Sequence, residues 1–400
     1  MPDALLQRYR MLPEQGADEA GIEELALRLR ESRYAPHGLS SAQSIQVEWL
    51  AGLVRGLDAE LAELDFGNDP KDWHFPDYRC SVIPVRRDYR MGPGRLPHRR
   101  AMRFHAICPE MVGSLSVEIV STPDVATVRD ATSLVLGAGL FDDVSLTTRG
   151  GTGRFHVTRV TMADRDAAID AHITAALDAG CDILCWPELT LDGDGLDAVR
   201  ARLTRNVLTD SRRIALSLAG SWHMKASGAR RNRCTILHAK ATPLATYDKR
   251  RIFDSKKKFE DIVPGDTLLV IVLEDRLVAP AICRDFCDDT GQDCYDAVDV
   301  DVVIVPSMGN ANTLDAHRAH ASSLKNRRGS RAMIAQQQVA RQDGVANPML
   351  GADITVALVL PDEARSVGST NHFAAFELDF GADDNAQGLS RSHTRRKRNL

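Results

Sequence analysis

The first 66 residues repeat their apolar positions with the period of an α-helix. Charged residues surround the apolar positions of 22–29, and a longer apolar stripe follows from Ser41 to Leu64. The members of this stripe recur mostly at spacings of three and four: Ile45, Trp49, Leu50, Leu53, Leu57 and Leu61. Residues at these spacings share one helix face. The pattern therefore predicts a helical segment over residues 1–66.

Residues 67–103 have no regular apolar period and are rich in arginine. Seven arginines lie in the stretch 86–103, with prolines among them. Such a segment is either a solvated connector or a docking site for an acidic protein or a nucleic acid. Short strand-like runs occupy 104–150. We therefore interpret residues 1–150 as an N-terminal extension that precedes the main domain.

From residue 151 onwards, short apolar runs alternate with helical periods. A helix is predicted over 163–180, where Gly180 supplies a natural C-terminal end. The remaining predicted elements are a helix over 312–328 and strands over 155–161, 181–185, 214–219, 233–239, 242–247, 268–273, 277–282, 301–306 and 332–339. Strands that alternate with helices and hairpins indicate a layered α/β domain, here over 151–382. The basic, polar residues 383–400 are expected to form a disordered tail.

Composition narrows the class of protein. The chain has 400 residues, of which 44% are hydrophobic and 26% charged, and its net charge is −5. This near balance argues against a dedicated nucleic-acid coat protein. No apolar run approaches the ~20 residues that cross a bilayer, and the N-terminus lacks the apolar core of a secretory signal. The eight cysteines are widely spaced. We therefore expect a cytoplasmic protein with free thiols, no membrane segment and no metal site.

Three reactive groups each follow a predicted strand: Glu188, Lys249 and Cys283. Active sites of open α/β sheets gather where strands end. A thiol attacks an electron-poor carbon as the thiolate, and a carboxylate can accept its proton. A fixed ammonium can then stabilise the negative oxygen that develops on the substrate, which is often worth ~3 kcal/mol for one donor. Together these groups indicate covalent acyl transfer.

The order and the flanking residues of these groups resemble the nitrilase, or carbon–nitrogen hydrolase, superfamily. Five segments carry the resemblance: W-P-E-L at 186–189, G-S at 220–221 with Asn232 downstream, Y-D-K at 247–249, F-E-D-I-V-P-G-D at 259–266 and I-C-R-D at 282–285. The fourth segment contains Glu260, which resembles a second glutamate of the family. Several motifs in family order are far more specific than any one of them.

The resemblance implies an α-β-β-α four-layer sandwich that hydrolyses carbon–nitrogen bonds other than peptide bonds. Cys283 would attack a small amide, a carbamoyl compound or a nitrile with Glu188 as base, and a thioester would form. Lys249 and the backbone N–H of Arg284 would hold the developing negative charge. Glu260 would orient Lys249 or the attacking water. No metal and no organic cofactor is implied.

The sequence departs from the family pattern around the nucleophile. Arg284 stands where the family commonly has an aromatic residue, and the usual Pro-Glu a few residues later is absent. We interpret Arg284 either as the partner of a substrate carboxylate or phosphate, or as an ion-pair partner of Asp285 or Asp288. Because proline cannot donate to a strand ladder, Pro280 predicts that the strand before Cys283 is an edge strand or is locally irregular.

Three further residues follow strand ends and are candidates for lining the substrate pocket: Trp222, Met308 and Asn310. Packing or loop structure explains each of them equally well. The resemblance also implies a homodimer or larger oligomer, with the 312–328 helix as the interface element. The side proposed for that interface is formed by Leu314, His317, Ala321 and Leu324.

Two alternatives to an independent hydrolase stay open. The first is a glutaminase or amidotransferase subunit that passes ammonia or an acyl group to a separate partner. The second is a non-catalytic scaffold that binds an acidic partner or nucleic acid through 86–103 and the basic tail. Scaffolding requires no set of Glu, Lys and Cys, so the hydrolase explains more of the sequence.

Overall fold

The computed structural model describes most of the chain from residue 80 onwards. The described residues are 80–84, 105–122, 133–209, 213–226, 228–255, 258–273, 276–287, 294–346, 355–360, 364–370 and 372–379. The predicted helices of 1–66, the arginine-rich stretch 86–103 and the tail 383–400 lie outside them. None of the described helices is long and apolar enough to cross a membrane.

The chain divides into two compact units, one of which spans Val112–Ala382. The other unit includes Met1–Met111 and Asp383–Leu400. Its described part is an antiparallel pair of strands, β1 (Cys80–Pro84) and β2 (His105–Pro109).

The remaining elements alternate strands with four helices. The helices are α1 (Arg165–Ala179), α2 (Gly193–Thr209), α3 (Cys294–Ala297) and α4 (Ala311–Arg328). The strands are β3 (Met111–Val112), β4 (Leu115–Ser121), β5 (Ser133–Gly139), β6 (Ser145–Arg149), β7 (Arg154–Thr161), β8 (Ile183–Cys185), β9 (Leu216–Leu218), β10 (Trp222–Ala226), β11 (Ala229–His238), β12 (Pro243–Asp248), β13 (Asp254–Ser255), β14 (Lys258–Glu260), β15 (Thr267–Leu273), β16 (Arg276–Pro280), β17 (Val302–Met308), β18 (Arg331–Gln337), β19 (Arg341–Gln342), β20 (Val345–Ala346), β21 (Val356–Leu360), β22 (Arg365–Thr370) and β23 (Phe373–Asp379).

These strands form two large sheets and a smaller one. Sheet I has the order β10-β11-β9-β8-β5-β23-β22, with β12 also paired to β11. Sheet II has the order β21-β18-β17-β16-β15-β4-β3. Sheet III has the order β13-β14-β7-β6-β19-β20. The centres of sheets I and II contain parallel pairs, which suits strands that are buried on both faces.

The alternation of side chains along the strands decides how the layers stack. Leu134 and Leu136 of sheet I belong to one buried apolar cluster with Leu269, Ile271 and Ile304 of sheet II. Residues two apart on a strand share a face, so this cluster lies between the two sheets. Burying each such side chain contributes about 1.5–3 kcal/mol to folding.

Helices cover the outer faces of both sheets. Leu184 of sheet I joins a second apolar cluster with Ile169 and Ile173 of α1 and with Val199 and Leu203 of α2. Helix α4 packs against β18 and β21 of sheet II. The layers therefore run helices, sheet, sheet, helix, and sheet III lies beside β10 through β7.

The unit that holds both large sheets begins earlier than residue 151. Strand β4 pairs in parallel with β15, and β5 lies between β8 and β23 near the middle of sheet I. Residues 112–150 therefore belong to the same compact unit as the predicted hydrolase domain. Local apolar patterns predict the strands, but the partners of β4 lie some 150 residues away in sequence, so the pattern does not show which domain they join.

Most of the predicted elements of the α/β region are present, but the helices α2 and α3 were not predicted. The structure confirms the helices predicted over 163–180 and 312–328 as α1 and α4. Helix α2 was not predicted because its first turn contains Gly193 and Gly195, which read as a loop. The Asp192 carboxylate instead accepts the Gly195 backbone N–H at 3.0 Å and fixes that first turn.

The strand before the nucleophile is not an edge strand. Strand β16 lies between β15 and β17. Pro280 is its last residue, and the pairing with β15 has already ended at Val278. Proline therefore loses no ladder hydrogen bond there. The edge-strand alternative is wrong, and the predicted local irregularity is the early end of the pairing with β15.

The proposed interface side of α4 is buried within the chain. Leu314, His317, Ala321 and Leu324 are each at most 5% exposed. They pack inward because α4 covers sheet II, and the helix presents Asp315 and Arg318 to solvent instead. That side of the helix therefore cannot form the predicted subunit interface.

Candidate active site

Glu188 lies just past the end of β8, where its segment lies close to residues 220–221. The chain leaves the strand through Trp186 and Pro187, and Glu188 forms a parallel bridge with Ser221. Gly220 has a φ of 56°, and a Cβ at this position would collide with the carbonyl oxygen of Pro187. Glycine is required here for both reasons. Glu188 is 2% exposed, so its carboxylate depends on donors from the protein.

Lys249 follows the last residue of β12 and is buried. Its Nζ donates to Glu188 Oε1 and to Glu260 Oε2, each at 2.8 Å. Burial lowers the pKa of the Lys249 ammonium, but the two carboxylates outweigh burial and hold this pKa well above its ordinary value. Lys249 is therefore a fixed positive charge, and these carboxylates occupy two of its three N–H groups.

Glu260 ends β14 and accepts four hydrogen bonds. Its Oε1 accepts from His223 Nε2 at 2.8 Å and from Asn232 Nδ2 at 2.9 Å. Its Oε2 accepts from Lys249 and from the Phe253 backbone N–H at 2.9 Å. Burial raises the pKa of Glu260, but the Lys249 charge and the hydrogen bonds hold it well below its usual range. Glu260 is therefore suited to anchoring Lys249 rather than to accepting a proton.

Asn232 connects the two carboxylates. Its Nδ2 donates to Glu188 Oε1 and to Glu260 Oε1, both at 2.9 Å. Its backbone carbonyl accepts the Lys249 backbone N–H at 2.8 Å. We call Glu188, Asn232, Lys249 and Glu260 the carboxylate–lysine cluster. Every member of the cluster is at most 3% exposed, which makes these contacts strong and their geometry fixed.

Cys283 begins a short 3₁₀ turn after β16, with a φ of 47°. This left-handed backbone is unusual for a residue with a Cβ and is typical of functional sites. Burial and the negative charge of Glu188 raise the pKa of the Cys283 thiol well above its ordinary value, while Lys249 opposes them. The thiol is therefore protonated at neutral pH and needs a base before it can attack.

Met308 connects the nucleophile to the carboxylate beside it. The carbonyl oxygen of Met308 accepts from Cys283 Sγ at 3.6 Å. The backbone N–H of the same residue donates to Glu188 Oε2 at 3.1 Å. Met308, a predicted pocket residue, thus reaches the site through its backbone.

Asp285 ties the nucleophile turn to the segment that carries the lysine. Its buried carboxylate accepts the Tyr247 O–H at 2.8 Å. It also accepts the backbone N–H groups of Arg250 at 3.0 Å and of Arg251 at 2.7 Å. We call Cys283–Cys287 the cysteine elbow. Asp285 therefore fixes the elbow relative to β12 and to the segment after it, which begins with Lys249.

The other predicted pocket residues make structural contacts. Trp222 is half-buried against the apolar cluster under α1 and α2. The Arg284 guanidinium donates to the backbone carbonyl of Ile252 at 3.1 Å, a contact that the sequence did not predict. Asn310 caps α4, and its side chain accepts the Thr313 backbone N–H at 3.2 Å. These positions therefore have structural contacts whatever substrate is bound.

Two residues at the site were absent from the predicted set. His223 contacts Glu260 as described above, and the Ser307 hydroxyl acts to lower the pKa of the Cys283 thiol. His223 pairs with Asn232 across the β10–β11 hairpin. A predicted hairpin register would have placed both residues on one face, whereas Ser307 gives no sequence signal beyond its position after a strand.

Seven cysteines in the described part of the chain are buried. Among the described residues, no group of three or more His, Cys, Asp or Glu side chains is arranged to hold a metal ion.

Known proteins show similarity to this chain only at the level of structure. No protein-family profile and no curated protein sequence matches it. A solved amidase from Nesterenkonia sp. is 17% identical, with a TM-score of 0.42, over 67% of this chain and 98% of the amidase. A mutant of the Nesterenkonia sp. AN1 amidase that carries the acetamide moiety of fluoroacetamide on its active-site cysteine is 16% identical, with a TM-score of 0.43, over 65% of this chain and 97% of the mutant.

A further mutant of this amidase is described as belonging to the nitrilase superfamily. It is 15% identical to this chain, with a TM-score of 0.41, over 66% of this chain and 97% of the mutant. The superfamily is the one that the motifs of this sequence resemble. With identities and TM-scores this low, the similarity by itself assigns no activity to the chain.

Proposed function

We propose that this chain is a hydrolase of the nitrilase superfamily that cleaves the carbon–nitrogen bond of a small non-peptide amide through a thioester on Cys283. The observation that carries the proposal is the single buried ammonium of Lys249, held at 2.8 Å from each of two buried carboxylates. A buried charge persists only where it is well paired, and this arrangement leaves one N–H group of Lys249 for a third acceptor. The oxygen of a bound amide is such an acceptor.

The first half of the reaction uses Glu188 as the base. Glu188 takes the proton of the Cys283 thiol, and the sulfur forms a bond to the amide carbon. The electron pair of the carbonyl moves to oxygen, where Lys249 and the backbone N–H of Arg284 stabilise it. Collapse of this intermediate breaks the carbon–nitrogen bond. The protonated Glu188 returns its proton to the nitrogen, and ammonia or an amine leaves.

The second half consumes water. Glu188 accepts a proton from a water molecule while the oxygen of that water attacks the thioester carbon. The carbon–sulfur bond then breaks, Cys283 regains a proton, and a carboxylic acid leaves. Glu260 stays ionised throughout, so that Lys249 remains charged and in place. A nitrile would enter by the same thiolate attack, and a carbamoyl compound would release carbamate instead.

Two further properties belong to the proposal. The enzyme works in a reducing compartment such as the cytoplasm, which is supported by the free, buried thiols of Cys181, Cys185, Cys234 and Cys283. It also associates as a homodimer or larger oligomer, through a surface other than the buried side of α4. Light scattering at micromolar concentration tests this association, and a monomer throughout would contradict it.

Intact-protein mass spectrometry tests the chemistry directly. Wild type, Cys283→Ala and the matched control Cys181→Ala are incubated with panels of small amides, carbamoyl compounds and nitriles, and released ammonia is measured in parallel. Cys181 is buried away from the site, so its variant controls for loss of a buried thiol. We expect an acyl adduct and ammonia from wild type and the control only. Equal turnover by Cys283→Ala would contradict the proposal.

A further inference from the structure

His223 is a buried residue that contacts the carboxylate–lysine cluster without belonging to it. It lies on β10, and its side chain is fully buried. One ring nitrogen, Nε2, is 2.8 Å from Glu260 Oε1. The other, Nδ1, accepts the backbone N–H of Val157 at 2.8 Å. Val157 belongs to β7, so the ring joins sheet III to the cluster.

These two contacts assign the protonation of the ring. A backbone N–H can only donate, so Nδ1 carries no proton and acts as the acceptor. The proton of the neutral ring must then be on Nε2, where it points at Glu260. A second proton on Nδ1 would face the Val157 N–H. His223 is therefore a neutral donor to Glu260, and it adds no charge to the site.

The donors divide unequally between the two carboxylates. Glu260 accepts four hydrogen bonds, whereas Glu188 accepts three, from Lys249, Asn232 and the Met308 backbone. The fourth donor to Glu260 is His223. Without it, Glu260 Oε1 would keep only Asn232, whose nitrogen is shared with Glu188. The carboxylate that anchors Lys249 could then rotate, and Lys249 would move with it.

We propose that His223 is a positioning residue that holds Glu260 by its Nε2–H and thereby holds Lys249 against the reacting atoms. This role rests on the proposed hydrolase function. It is distinct from a merely structural role, in which the ring would only join β10 to β7. The two ring nitrogens separate these roles, since Nε2 serves the cluster and Nδ1 serves the strand contact.

Two substitutions isolate the two contacts. In His223→Gln the side-chain amide nitrogen reaches the position of Nε2, so the donor to Glu260 is kept and the acceptor for Val157 is lost. In His223→Asn the amide oxygen reaches the position of Nδ1, so the acceptor is kept and the donor is lost. The two variants are similar in polarity and size and differ in which contact survives.

The measurement is the rate at which iodoacetamide alkylates Cys283, read by mass spectrometry and followed alongside the melting temperature. We expect His223→Asn to slow alkylation about tenfold to a hundredfold, since small misplacements of a catalytic group have effects of this size. Alkylation of Cys283 in His223→Gln should stay within about threefold of the wild-type rate. The melting temperature of His223→Gln should nevertheless fall at least as much as that of His223→Asn. Turnover of any amide substrate should follow the same order.

The outcomes also separate this proposal from the function on which it rests. Alkylation at the wild-type rate in His223→Asn, or slowing that tracks melting temperature in both variants, would overturn the positioning role. Alkylation does not require an amide substrate. If no amide is hydrolysed by wild type, the proposed function fails, while the contrast between Asn and Gln still decides the role of His223.

Discussion

The carboxylate–lysine cluster and the cysteine elbow meet at one site but are built on different physical principles. In the cluster, buried charges face each other at 2.8 Å, and side-chain and backbone donors complete the shell around each carboxylate. In the elbow, the nucleophile is a neutral thiol on strained backbone, held by a carbonyl 3.6 Å away. Charge pairing makes the cluster rigid and unreactive by itself. In the mechanism that we propose, the elbow supplies the reactivity, but only when the cluster accepts its proton.

The comparison teaches that the two glutamates, although equally buried, have different tasks. Both contact Lys249 and Asn232 through hydrogen bonds of similar length. Glu260 is held by one donor more, whereas Glu188 shares the Met308 backbone with Cys283. The connection to Cys283 through Met308, rather than burial, therefore distinguishes the proposed base from the proposed anchor.

Lys249→Met is expected to have the largest effect, because it removes the charge on which the whole cluster depends. Two buried carboxylates lose their counter-ion, and breaking a buried pair in this way typically costs about 3–5 kcal/mol. Hydrolysis should fall by more than about 10³-fold, as it does when a key electrostatic stabiliser is lost. Denaturant unfolding and ammonia release measure both effects.

The exposed Lys240, at the β11–β12 turn, provides the matched control. Lys240→Met should leave both quantities near their wild-type values. Unchanged stability in Lys249→Met would show that the carboxylates are not paired as described.

Glu188→Gln separates the proton transfer from the positioning. The amide keeps the size of the side chain but cannot serve as a base, so kcat should fall about 10²- to 10⁴-fold. The negative charge of Glu188 raises the pKa of the Cys283 thiol. Its removal should therefore shift the pH profile of Cys283 alkylation to lower pH, while hydrolysis is lost. A shift to higher pH would contradict the placement of Glu188 beside the thiol.

Asp285→Asn tests how the cysteine elbow is held. It weakens the hydrogen bonds that join the elbow to the residues on either side of Lys249. The amide cannot accept as many donors as the carboxylate and brings an N–H towards groups that already donate. A lost buried contact of this kind costs about 1–3 kcal/mol. We expect a lower melting temperature and a decrease of about tenfold in kcat, with Lys249 still paired. Asp315→Asn on the exposed face of α4 is the control, and an equal effect there would refute the assignment.

The smallest expected effect is the pH dependence that Glu260 adds to stability. Its pKa is lower in the folded protein than in the unfolded chain, where it is about 4.3. Its contribution is therefore complete above that value and is lost as pH falls below it. The difference in unfolding free energy between wild type and Glu260→Gln should shrink as the pH falls from about 5 towards about 2. A difference that grows on acidification would show the opposite shift.

Sequence patterns predicted the regular elements around the site well, but they did not predict where the domain begins. Helix α1 and the hairpin β11–β12 have periods that a local window detects. The place of β5 in the middle of sheet I depends on pairing with β23, which begins more than 200 residues later. Local periodicity carries no information about such partners, so the start of the domain was placed too late.

The sequence by itself determined which reactive groups this protein has and the strand ends on which they lie, because residue type and hydrophobic period are local properties. It placed Glu188, Lys249, Glu260 and Cys283 in an order that predicts covalent hydrolysis. Only the tertiary structure decided that both carboxylates share one ammonium, that Met308 acts through its backbone, and that His223 donates to Glu260. These are contacts between residues 11 to 120 positions apart, and they exist only once the three sheets have packed.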